Sequence, residues 1–114
     1  MESTGSGWVS SMIEVALSVT LKAKPGKEKD VADFLRSARS VVEQELGTRA
    51  WFALQFDEST FGVFDVFPDD EARQAHLAGG VGQALAAHGA ELFSVEPNIQ
   101  SVDVLAYKLP GDDA

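Results

Sequence analysis

The stretch Phe61–Leu85, FGVFDVFPDDEARQAHLAGGVGQAL, constrains the fold most. An apolar strand runs into an acidic helix start. A short helix carrying a histidine follows, then a glycine break and a second helix. This stretch lies after a strand–helix–strand unit and before one last strand. That order predicts a small α+β sandwich able to enclose a ligand.

The preceding unit is read from its periods. Ile13, Val15, Leu17, Val19 and Leu21 alternate with Glu14, Ser18, Thr20 and Lys22, so Ile13–Ala23 is a strand with one apolar face, ended by Pro25-Gly26. Val31, Phe34, Leu35, Ala38, Val41, Val42 and Leu46 then recur at helical spacing, which predicts a helix over 27–46. Gly47 stands where a left-handed C-terminal cap belongs. Arg49–Asp57 and Thr60–Phe67 read as a hairpin around Asp57-Glu58-Ser59. Both faces of this hairpin are apolar, with Phe52, Leu54 and Phe56 on one and Trp51 and Ala53 on the other. One helix layer would leave one of those faces wet, so a second cover is expected, most economically another copy of the chain.

Asp69 is placed to cap the next helix, with Asp70 and Glu71 in its first turn. Gly79-Gly80 interrupts it; Val81, Ala84, Leu85 and His88 resume helical spacing, and Gly89 reads as a stop. Pro97-Asn98 turns the chain into a last strand, Ile99–Leu109. The result is β-α-β-β-α-β, the order of a ferredoxin-like sandwich: a four-stranded antiparallel sheet with helices on one face. Its expected limits are 12–110, after a Ser/Gly-rich leader (1–11, with Trp8) and before an acidic tail (111–114).

Composition narrows the function. The 114 residues carry a net charge of -9. Such a chain lacks the basic stripe that displaces counterions from nucleic acid, and it is disfavoured at anionic membranes. Lys22, Lys24, Lys27 and Lys29 cluster at a turn and read as solvated. No apolar run approaches the ~20 residues of a membrane span. Cysteine is absent, so disulfides, thiolate nucleophiles and cysteine metal sites are excluded, which suits the cytoplasm. Neither a Gly-x-Ser-x-Gly elbow nor a cysteine–histidine pair supports covalent hydrolysis.

What chemistry remains centres on two histidines. His76 and His88 fall on or beside the apolar stripes of their helices, where the ordinary role is a half-buried residue with a backbone partner. His76 is the better proton carrier because it precedes the glycine break, where a pocket mouth can open. Two widely spaced histidines do not make a metal site. Gly79-Gly80-Val81-Gly82 has neither the pattern nor the setting of a phosphate loop and reads as a helix break with close packing. Asp65, mid-strand among apolar residues, must face solvent or be paired, with Arg49 and Arg73 as candidate partners. Aromatic side chains beyond the needs of the core can stack on a flat aromatic ligand.

In these terms the chain resembles the antibiotic biosynthesis monooxygenase superfamily, a group of dimeric α/β barrels. The resemblance spans Val15–Lys108. It rests on Lys24-Pro25-Gly26-Lys27 after the first strand, Glu45-Leu46-Gly47 where the family often has Glu-Pro-Gly, Phe64-Asp65-Val66-Phe67 before Asp69-Asp70, and Ala75-His76-Leu77 beyond it. Asp65 and Phe67 stand where the family commonly has glutamate and tryptophan, and Trp51 stands near a frequent tyrosine. The resemblance implies a homodimer and a pocket between sheet and helices. It also implies oxidation of a quinol, anthrone or similar aromatic by molecular oxygen, with no metal or flavin. His76 would be the catalytic residue, deprotonating or orienting a phenol, and Trp51, Asp65, Phe67 and His88 would contact substrate. Two alternatives accompany this reading. One is a non-enzymatic ligand-binding or assembly module of the same fold. The other is a relative of the haem-degrading monooxygenases, with His88 near the ligand position. The latter branch uses a first-strand asparagine, whereas the one asparagine here is Asn98.

Overall fold

The computed structural model describes residues 12–110. The expected leader with Trp8 and the acidic tail lie outside the described residues. The elements are β1 (Val15–Lys22), α1 (Glu28–Val42), β2 (Ala50–Gln55), β3 (Thr60–Phe67), α2 (Asp70–Leu77), α3 (Gly80–Leu92) and β4 (Asn98–Asp103). The four strands form one antiparallel sheet in the order β2-β3-β1-β4. This is the expected α+β, ferredoxin-like arrangement, with the second helix divided in two.

Register follows from the period-two pattern. Leu17 pairs with Asp65, Val19 with Val63, and Leu21 with Phe61, so these side chains share the helix-covered face. A slip of one residue would turn Leu17, Leu21 and Phe61, all buried, to the opposite face. Val31, Leu35, Ala38 and Val42 form the buried stripe of α1 against this face. Trp51, on the same face of β2, packs against the clusters built on Leu35 and Val42.

Glycine geometry departs from expectation at two places. Helix α1 ends at Val42, before Gly47, by drawing into tighter turns: Gln44 N–H donates to Val41 O and Glu45 N–H to Val42 O. Gly47 is not a left-handed cap. A Cβ there would lie 2.9 Å from Ala72 Cβ, so its absence lets this turn press against α2. The left-handed glycine is Gly26, at φ 87°, in the turn after β1. Gly89 does not stop α3, which continues to Leu92. Leu46, expected on the α1 stripe, is exposed.

Asp69 caps α2 as expected, its side chain accepting from Ala72 N–H at 2.9 Å. Beyond Leu77 the chain restarts as α3 with Gly79 as N-cap. A Cβ on Gly82 would sit 2.1 Å from Leu77 O, so only glycine allows this approach of the two helices. Strand β4 stops at Asp103, short of the expected Leu109. Val104 N–H still donates to Glu14 O, after which the chain leaves the sheet and Leu105 is exposed.

The opposite face of the sheet carries Phe52, Leu54 and Phe56, each exposed. The double-sided apolar hairpin therefore leaves one aromatic face uncovered in the single chain.

Candidate functional site

Between the sheet and α2–α3 lies a cavity of about 660 Å³. Its walls are apolar: Leu17, Val19, Val63 and Ile99 from the sheet, Val81, Leu85 and Ala86 from α3, and Phe93 beyond it. Trp51, Asp65 and His76 also line it, as do Ser94 and Glu96. A volume of this size suits a small polycyclic ligand.

His76 comes from the last turn of α2 and is 9 % exposed. Both ring nitrogens are held by carboxylates. Nε2 lies 2.9 Å from Oδ2 of Asp65, and Nδ1 lies 2.5 Å from Oε1 of Glu45. Thr48 donates its hydroxyl to the same Glu45 oxygen at 2.8 Å, and that hydroxyl lies 3.4 Å from His76 Nδ1. The Phe67 ring packs on the imidazole with centroids 5.3 Å apart and planes tilted by 46°. An aromatic ring at this range favours a cation.

Burial alone would push the His76 pKa down, but hydrogen bonding and charge attraction from Asp65 and Glu45 outweigh it and raise the value from 6.5 to about 9. At neutral pH His76 is therefore an imidazolium. Two carboxylates facing one imidazolium leave the cluster with one net negative charge. Asp65 is 1 % exposed; its Oδ2 faces His76 Nε2, and its Oδ1 has no hydrogen-bond partner among the described residues. The His76 contact at 2.9 Å is thus an ion pair that leaves acceptor capacity unused. Nε1 of Trp51 is likewise buried and unpartnered.

The site collects Trp51, Asp65 and His76 of the five residues singled out from sequence. Phe67 is fully buried and supports His76 rather than lining the cavity. His88 is a correction: its side chain is exposed, 3.8 Å from Glu91 and away from the cavity, because it faces outward from α3. The candidate partners of Asp65 are also corrected. Arg73 pairs with Asp70 and reaches the backbone oxygens of Ala16 and Val102, and Arg49 donates to Leu46 O; the true partner is His76. Glu45 and Thr48 were missed as chemistry. Glu45 lies 31 residues from His76, and no local spacing joins a turn after α1 to the end of α2.

These residues do not fit a haem ligand set. Both His76 nitrogens are engaged, and His88 lies outside the cavity. Among the described residues no group of three or more His, Cys, Asp or Glu is arranged to hold a metal ion, and no helix is long and apolar enough to cross a membrane.

A ferredoxin-like sheet of this strand order, with a cavity under its helices, is the fold that the sequence resemblance implied. Solved structures bear this out. A "putative antibiotic biosynthesis monooxygenase" from Caulobacter crescentus superposes with TM-score 0.72 at 17% identity, covering 83% of this chain and 92% of that one. A protein of the same description from Nitrosomonas europaea gives TM-score 0.73 at 15% identity, covering 81% and 99%. At these identities the likeness is one of fold. The chain itself belongs to one family with NE2512, a protein of unknown function from Nitrosomonas europaea, at 55% identity and TM-score 0.86 over 88% of this chain and 97% of that one. No protein-family model and no curated protein matches the sequence.

Proposed function

We propose that this chain is a cofactor-independent monooxygenase that oxidises a quinol, an anthrone or a similar aromatic with molecular oxygen. One observation carries the reading: an apolar cavity of about 660 Å³ ends at a buried carboxylate–imidazolium pair. A flat aromatic fills such a space, and the polar end handles the proton and charge that its oxidation must move.

The roles follow from the protonation states. His76, held as an imidazolium, has no free lone pair near neutral pH and is not the base. Asp65, with acceptor capacity unused, takes the proton of the substrate hydroxyl. The negative charge then moves from Asp65 to the substrate oxygen, and the net charge of the cluster is unchanged. His76 remains beside it as a fixed cation, and the indole N–H of Trp51 is the available donor to the new oxyanion. The electron-rich anion transfers one electron to molecular oxygen, and the carbon radical and superoxide recombine as a peroxide. For an anthrone, the reacting carbon loses two hydrogens and gains one oxygen atom; the other oxygen atom leaves as water.

The same reading includes a homodimer. Phe52, Leu54 and Phe56 form an exposed apolar face on the sheet, and a second copy is its self-complementary cover. Oxygen uptake with a panel of quinols and anthrones, without added metal or flavin and with one atom of the consumed oxygen found in the product, tests the activity. No uptake with any of them would favour the ligand-binding module.

A further inference from the structure

The cavity meets solvent at a strap built into the edge of the sheet. Asn98 pairs with Thr20 and Phe93 with Ala23, so residues 94–97 stand opposite only residues 21–22. The surplus loops out as a bulge. Ser94 N–H donates to Lys22 O at 2.9 Å and Lys24 N–H to Leu92 O at 2.8 Å, which fixes one end of the strap; the pairing of β4 fixes the other. Ser94, Val95, Glu96 and Pro97 all line the cavity, and the first three are exposed. Glu96 therefore stands at the mouth on a backbone tied at both ends.

The charges around the cavity have one net sign. Its lining holds Asp65, His76 and Glu96, and among the described residues no lysine or arginine. Asp65 and His76 offset each other at 2.9 Å, and Glu45 on the other side of His76 leaves that cluster with an excess negative charge. Lys24 sets its ammonium on Ala90 O near the end of α3 and is not part of the lining. Across apolar walls, the fields of Glu96 and of the inner cluster add rather than cancel. From this arrangement we infer that Glu96 is a specificity-determining residue: it makes the cavity prefer an aromatic body carrying an ammonium to the same body carrying a carboxylate. The ring occupies the apolar walls and the ammonium rests at the exposed mouth, so no contact with the enclosed Asp65 oxygens is needed. The inference rests on reading the cavity as the substrate site and adds a selectivity that the oxidation chemistry does not require.

The test is calorimetric titration with probes that share one ring system and carry no oxidisable hydroxyl, which separates recognition from turnover. They are 1-naphthylmethylammonium, 1-naphthylacetamide and 1-naphthylacetate, titrated at pH 7 and low salt into the full chain, Glu96→Gln and Glu96→Lys. Glu96 is exposed, so both variants should keep the fold, which near-UV circular dichroism verifies. The expected result is that wild type binds the ammonium about tenfold tighter than the carboxylate, with the amide between them. The ratio shrinks by about threefold in Glu96→Gln and by about tenfold in Glu96→Lys. Equal affinities in wild type, tighter binding of the carboxylate, a ratio unchanged in both variants, or no binding of any probe would each overturn the inference. Equal affinities in a protein that does consume oxygen would sink the charge selection and leave the oxygenase. Charge-selective binding by a protein that consumes none would do the reverse.

Discussion

Nδ1 of His76 and Oε1 of Glu45 stand 2.5 Å apart, joining the end of α2 to the turn after α1. With Asp65 on the other ring nitrogen, this contact makes His76 a cation throughout the neutral range. Glu45→Gln removes one of the two charges. The His76 pKa is expected to fall from about 9 toward 6.5 while staying above it, because Asp65 remains. Titration of the histidine Cε1 protons by NMR measures this, with His76→Gln identifying the signal. An unchanged pKa would remove Glu45 from the clamp.

The raised pKa also predicts a pH dependence of stability. The folded state holds the His76 proton more tightly than the unfolded chain, whose histidine titrates near 6.5. The stabilisation is fully present below about pH 6.5 and is lost as pH rises through about 9. The whole contribution is on the order of 3 kcal/mol. Urea unfolding at pH 6 and pH 9.5 should show this fall in the wild type. His76→Gln, which strands two carboxylates without a cation, should be less stable by about 3 kcal/mol at pH 6 and should lose the histidine-dependent fall.

How far the sequence leads is clearest in two glycines. Gly26 follows Pro25 in a turn and adopts the left-handed conformation such a signal announces. Gly47 bears the same kind of signal, yet its role is to let the turn touch Ala72, a contact between residues 25 positions apart. Strands and helices are legible because alternation and helical spacing are local properties of Val15–Val42 and Thr60–Phe67. The Asp65–His76 half of the site was half-legible: a carboxylate among apolar residues signals a need for a partner without naming it. Glu45 was illegible as chemistry because only the packing of α1 against α3, and of the turn after α1 against α2, brings it to His76. His88 showed the limit of helical spacing on α3, where alanine and glycine blur which side is buried.

Gly82 tests that helix packing. Gly82→Ala places a Cβ 2.1 Å from Leu77 O, so α2 and α3 must separate. The expected cost is about 2 kcal/mol or more by urea unfolding. Gly26→Ala, which meets open space but keeps a strained φ, should cost about 1 kcal/mol. A reversed order would contradict the described α2–α3 junction.

The exposed aromatic face makes its own prediction. Light scattering at micromolar concentration should return twice the chain mass. Phe52→Glu, placing a charge within that face, should return a single chain with its circular dichroism intact. A wild-type monomer would rule out the dimer.

The most direct measurement for the central claim is oxygen consumption with a hydroxylated polycyclic or anthrone substrate, wild type beside Asp65→Asn, with no added metal or flavin. The account predicts one oxygen molecule consumed per anthrone converted to quinone. It also predicts a rate at least a hundredfold lower in a folded Asp65→Asn, which has lost the proton acceptor. Equal rates in the two proteins, or no consumption across the panel by wild type, would contradict it.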